Sequence, residues 1–293
     1  MKQWLLILST LFISVSSYAA ERIVTLGGDV TEIVYALGAQ EQLVARDSTS
    51  LHPEQATKLP DVGYMRMLNA EGVLSMRPTL VLASELAKPS MALSQIEKSG
   101  VKIIKVTGKP SLEAIPEKIT AIANVVGKTE QGKQLVNQFN QQLSQVNTAP
   151  IDKKVLFIMS HGGVMPLAAG RHTAADSVIN AVGAKNAMSS FDSYRPLSQE
   201  GLLSSQPDLI IFTQEGVKSL GGIEKVWNLQ GMSMTPAGKN KALLVVDDVG
   251  MLTFSLGTPK VMQQLREALE KSQWVALKTH FWWLSFYCSH LVV

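Results

Sequence analysis

Leu68-Asn69-Ala70-Glu71-Gly72-Val73-Leu74-Ser75-Met76-Arg77-Pro78-Thr79-Leu80-Val81-Leu82 returns 129 residues later as Leu197-Ser198-Gln199-Glu200-Gly201-Leu202-Leu203-Ser204-Ser205-Gln206-Pro207-Asp208-Leu209-Ile210-Ile211, with seven of the fifteen positions identical. Each copy reads as a short helix stopped near its proline, which lacks the amide donor that a helix interior needs. A buried strand of Leu, Val or Ile follows. Two copies are too few for a solenoid, so the repeat predicts two similar α/β lobes.

The flanking segments agree. Arg22-Ile23-Val24-Thr25-Leu26 and Lys154-Val155-Leu156-Phe157-Ile158-Met159 read as the first strands of the two lobes, and Val101 to Val106 and Ala242 to Val246 as further strands. Helix-like stretches follow Gly27-Gly28 and Gly170-Arg171-His172, ending in Gly38-Ala39 and Gly183-Ala184 as a glycine-closed helix does. Strands alternating with helices imply mainly parallel sheets. In Thr129 to Thr148 the apolar residues Leu135, Val136, Phe139, Leu143 and Val146 share one helical face. That predicts one long helix, near 30 Å, joining the lobes. The expected division is a secretory signal at 1–19, a first lobe at 20–128, the linking helix at 129–148, a second lobe at 149–273 and an atypical tail at 274–293. A ligand site is expected in the cleft between lobes, at the carboxyl ends of the strands.

The N-terminus carries Lys2, an apolar run from Trp4 to Val15 and the small-residue exit Ser16-Ser17-Tyr18-Ala19-Ala20, the pattern of an export signal. The run is shorter than the roughly 20 residues a membrane span needs, so the mature chain is expected free in the periplasm. The last 20 residues hold six of the 18 aromatic residues and fit no helical or strand period. A membrane-dipping segment or a change of reading frame would each produce such a break. Over 293 residues, 46% hydrophobic side chains exclude a disordered chain. The small excess of 27 basic over 24 acidic residues argues against nucleic acid as partner. Cys288 is the only cysteine, which excludes an internal disulfide or a cysteine-cluster metal site.

Few short motifs carry chemistry. Gly127-Lys128-Thr129-Glu130-Gln131-Gly132-Lys133-Gln134 is one residue short of a P-loop and follows a helix, not a strand. It reads as a helix boundary. Ser160-His161-Gly162-Gly163 sets a nucleophile beside a base, the pattern of a secreted esterase, yet the chain has no Gly-x-Ser-x-Gly elbow. His52, His161 and His172 lack partners at metal-site spacing. His52 reads as a hydrogen-bonded loop residue, whereas His161 sits just past a strand and His172 at a helix start. The most suggestive segment is Asp61-Val62-Gly63-Tyr64-Met65-Arg66-Met67-Leu68. Tyr64 is either a packing residue or a phenolate ligand, a known axial donor for haem iron. Arg66 would favour the phenolate or pair with a propionate.

On these residues the chain from about Glu21 to Gln273 resembles the periplasmic haemin-binding proteins of bacterial ABC importers, in the helix-linked class that also serves vitamin B12 and ferric siderophores. The most specific matches are Gly63-Tyr64-Met65-Arg66, Leu68-Asn69-Ala70-Glu71-Gly72, Ala168-Ala169-Gly170 and Tyr194-Arg195-Pro196-Leu197-Ser198. The resemblance implies a non-enzymatic carrier whose ligand is haem b as haemin, with Tyr64 ligating the iron. His161 is the choice for a second-lobe ligand, with His172 behind it. The resemblance also implies that Glu71 and Glu200 meet arginines of an inner-membrane permease served by its ATPase, with the carrier a monomer. A flat apolar porphyrin calls for lining by residues such as Met65, Met67, Met251, Leu252 and Phe254; Met251 to Phe254 read equally well as core. A siderophore, cobalamin or a divalent metal is the alternative cargo. Family members end near Gln273, so the tail inherits nothing.

Overall fold

The computed structural model describes residues 21–161 and 165–271. The expected signal at 1–19, the Gly162-Gly163 pair and the tail at 274–293 lie outside the described residues.

The first half contains β1 (Ile23–Leu26), α1 (Gly28–Ala36), β2 (Leu43–Arg46), α2 (Ala70–Ser75), β3 (Leu80–Ser84), α3 (Ser90–Lys98), β4 (Lys102–Val106), α4 (Ala114–Val125) and α5 (Thr129–Ser144). The second contains β5 (Lys154–Met159), β6 (Leu167–Ala169), α6 (Ala174–Ala181), β7 (Lys185–Asn186), β8 (Tyr194–Pro196), α7 (Gln199–Ser205), β9 (Leu209–Thr213), α8 (Gln214–Leu220), α9 (Ile223–Trp227), α10 (Pro236–Asn240), β10 (Leu243–Val246) and α11 (Asp248–Leu252). A further helix covers 258–271.

The first sheet is wholly parallel in the order β2-β1-β3-β4. In the second, β10, β9, β5 and β7 are parallel, while β6 and β8 add antiparallel at the carboxyl end of β5. The repeat is visible in three dimensions: α2 leads past Pro78 into β3, and α7 past Pro207 into β9. Both strands are buried along their whole length, as parallel strands covered on two faces must be.

Alternation along these strands builds the core. Ile23, Leu80 and Leu82 face α1 and α4 on one side of the first sheet, and Val24, Leu26, Val81 and Ala83 face α2 and α3 on the other. In the second sheet Val155, Phe157, Leu209 and Ile211 face the same cluster as Ile23, whereas Leu156, Ile158, Ile210 and Phe212 form an outer one. The inner faces of both sheets therefore share one apolar core. Phe139 of α5 is buried in it, with Leu135, Val136 and Leu143 packed alongside. The helical reading of 129–148 thus stops at Ser144. Asn147 accepts the Ala149 amide at 3.0 Å, and Pro150 follows, turn chemistry that ends a helix early.

One buried ion pair stitches the halves together. Lys118 of α4 has no exposed surface. Its Nζ donates to Asp29 Oδ2 at 2.5 Å, to the Thr253 carbonyl at 2.7 Å and to the Phe254 carbonyl at 2.9 Å. Three acceptors for three ammonium protons leave the buried charge satisfied. Two of those acceptors belong to the turn after α11, across from the helix that carries the lysine.

Candidate functional site

The loop that follows β2 is built as a platform. Asp61 Oδ2 accepts from Arg46 at 2.9 Å, and its Oδ1 accepts from Ser48 Oγ at 2.9 Å and the Gly63 amide at 2.8 Å. Gly63 sits at φ 97°, left-handed backbone that suits glycine. Beyond it the Met67 amide closes a turn on the Tyr64 carbonyl at 2.8 Å, and the Lys88 amide donates to the Met65 carbonyl at 2.7 Å. Met65, 2% exposed, and Leu68 are buried in the outer core of the first lobe. With these two facing inward, Tyr64 is left 40% exposed and Met67 78% exposed, and Arg66 is exposed as well.

In the second half the candidate residues gather after the carboxyl end of β5. His161 is exposed there, and Met165, on the same connection into β6, is 62% exposed. On the neighbouring β8, burial pushes the Tyr194 hydroxyl up to about 12, against the opposing pull of the Arg66 charge and the Thr173 hydroxyl. A phenol so held stays neutral and does not compete as an anionic ligand. Tyr64 and Arg66 are thus exposed on the turn before α2, and His161 and Met165 on the connection that follows β5.

The other expected residues lie elsewhere. Met251 is 0% exposed and Phe254 is buried with it in the shared core, so the assignment of Met251 to the cleft is corrected. Its α11 lies with its inner face on α6 and α1, and the side chain has no surface left for a ligand. Met65 is likewise core. His172, at φ 62° just before the Thr173 cap of α6, is exposed, with Nε2 3.6 Å from Asp192. His52 Nε2 lies 2.7 Å from Asp247 Oδ1, consistent with a hydrogen-bonded loop residue. Ser160 is buried beside exposed His161. Among the described residues no group of three or more His, Cys, Asp or Glu is placed to hold a metal ion.

Glu71 and Glu200 occupy matching positions in the first turns of α2 and α7. Asn69 caps α2 by accepting the Glu71 amide, and Ser198 caps α7 by accepting the Gly201 amide, both at 3.0 Å. Both acids are exposed.

Residues 23–249 match the model of the periplasmic binding protein family. The chain belongs to that family. Among solved structures it is similar to the periplasmic heme-binding protein RhuT from Roseiflexus sp. RS-1 in apo form, at 36% identity and a TM-score of 0.81, covering 85% of this chain and 98% of that one. It is also similar to the periplasmic heme-binding protein BhuT in complex with two hemes, at 34% identity and a TM-score of 0.78, covering 86% and 98%. A curated relative, the vitamin B12-binding protein of Pectobacterium atrosepticum, is 29% identical over 233 residues, covering 76% of this chain and 80% of the relative.

Met165 and Tyr194 were not singled out as cleft residues by the sequence. An isolated methionine in a loop carries no period, and β6 and β8 are three residues each, too short for alternation to register.

Proposed function

We propose that this protein binds haem in the periplasm and hands it to an ABC importer. The observation that carries the reading is Tyr64: a phenol held outward on a loop whose neighbours on either side of the turn are anchored in the core. An anionic oxygen is a suitable ligand for ferric iron. Exposed Arg66 beside it offers a partner for a propionate. Exposed Met67 and Met165 supply adaptable apolar contacts for a flat ring. The solved heme-binding structures at 34–36% identity support the same choice of cargo. His161, exposed after β5, is our choice for a second-lobe ligand, with His172 behind it.

Haemin titration tests this directly. A Soret band with a ferric tyrosinate charge-transfer band is expected for the native chain, and Tyr64→Phe should lose the charge-transfer band while keeping residual binding through the apolar cleft. An unchanged ferric spectrum in Tyr64→Phe would overturn the assignment. The curated vitamin B12-binding relatives favour a second reading, cobalamin as cargo. Competition decides between the two: cobalamin that displaces haemin at equal concentration would reverse the order.

Delivery is assigned to Glu71 and Glu200, which the repeat sets in matching positions of lobes 20–128 and 149–273, joined through the helix from Thr129. Charge reversal at both, Glu71→Lys with Glu200→Lys, should abolish uptake through the permease and its ATPase and leave haemin binding intact. The carrier is read as a monomer with no catalytic step of its own.

A further inference from the structure

Among the described residues the methionines fall into two groups, with half-buried Met76 and Met159 between them. Met65, Met188, Met232, Met251 and Met262 are buried, whereas Met67, Met91, Met165 and Met234 are each more than half exposed. Two of the exposed four stand on the segments that carry the candidate iron ligands. The Met67 amide closes the turn that presents Tyr64 by donating to the Tyr64 carbonyl at 2.8 Å, and the next residue, buried Leu68, donates its amide to the Lys88 carbonyl at 3.3 Å. Met165 lies on the connection that follows His161, and the carbonyl of the next residue, Pro166, accepts the Leu197 amide at 2.9 Å. Each of these thioethers thus projects into solvent from a backbone fixed at the following residue. Met91 lies in the first turn of α3 and Met234 in the turn before α10, on segments without a candidate ligand.

We propose that Met67 and Met165 are oxidation sites through which a peroxide lowers the capture of haem. The step is an oxygen transfer that moves two electrons. A lone pair on the thioether sulfur attacks one oxygen of hydrogen peroxide, the O–O bond breaks, and R–S–CH3 with H2O2 becomes R–S(O)–CH3 with H2O. Sulfur is oxidised, the peroxide is reduced, and both of its protons leave in the water. The oxidant arrives from solvent, so exposure selects these sulfurs over those of the core. Before oxidation each side chain is flexible, apolar and suited to the face of an aromatic ring. Afterwards it carries a polar S–O group, which a porphyrin face would strip of its water without offering a donor in return. The inference rests on the haem reading above and adds a control to it: the contacts that receive the ring also turn capture down, reversibly, because reductases return the sulfoxide to the thioether.

The full chain without haem is treated with hydrogen peroxide, freed of it and then titrated with haemin. Trypsin cuts after Arg66 and so puts Met65 and Met67 on different peptides. Their masses should show an added oxygen on Met67, and likewise on Met91, Met165 and Met234, well before Met65 or Met251 gains one. Haemin affinity should fall about tenfold, the scale of burying an unpaired polar group, and methionine sulfoxide reductases should restore it. Met67→Leu with Met165→Leu should bind haemin equally before and after peroxide, while Met91→Leu with Met234→Leu should show the native loss. An oxidised native chain with unchanged affinity overturns the inference. So does a loss that survives in Met67→Leu with Met165→Leu, or oxidation of Met65 as fast as Met67. An untreated chain that binds no haemin sinks the haem reading itself, and this inference with it.

Discussion

Tyr64 and Arg66 are exposed on a turn that Asp61 shapes by accepting the Gly63 amide at 2.8 Å. Tyr64 and Arg66 were readable because glycine at 63 and the aspartate at 61 announce a turn, and a turn leaves its side chains outside. Met251 was not readable, since methionine suits a core and a porphyrin cleft equally and five residues of helix give no period to decide. The structure decides it, and Met251→Ala should cost about 2–5 kcal/mol of stability as a core truncation. Urea denaturation would read that cost, while a haemin titration of the folded variant should show unchanged affinity. Lys118 was invisible for the opposite reason: nothing in Ile115-Pro116-Glu117-Lys118 says that a lysine there is buried. Lys118→Met should destabilise by about 3–5 kcal/mol, because it strands Asp29 as an uncompensated buried charge. Lys118→Met with Asp29→Leu should recover much of that loss on the same urea curve.

Among the elements, those with a period or a punctuating residue were legible, and the rest were not. The helix–proline–strand repeat, the glycine-closed helices and the long strands β3, β5 and β9 all carried their own signals. The ribbon of β6 and β8 did not, because its two three-residue strands are held by pairing with β5 and each other and lack any pattern of their own. Its residues entered the sequence reading only through the family resemblance, at Ala168-Ala169-Gly170 and Tyr194-Arg195-Pro196. The matched starts of α2 and α7 allow a test at this scale. Each relies on one side-chain cap, so Ser198→Ala should cost about 1 kcal/mol, seen as a lowered thermal midpoint. Because the Glu200 side chain stays exposed, haemin binding should be indifferent to the change.

For the molecule as a whole, two copies of a motif gave two lobes, but nothing in the repeat foretold that their inner faces would fuse into one core. Shared burial depends on partners 100 or more residues apart, which no local window can see. A core common to both halves predicts a single cooperative unfolding transition followed alike by circular dichroism and tryptophan fluorescence; two separated transitions would mean that the lobes fold independently. The lysine at the centre of that core has a chemical consequence. Among the described residues Lys118 is the lysine without exposed surface, so an acylating reagent can mark it only in those moments when the turn at 253–254 stands clear of α4. The other lysines would be modified first, and the lag before Lys118 is labelled would serve as a stopwatch for the parting of the two halves.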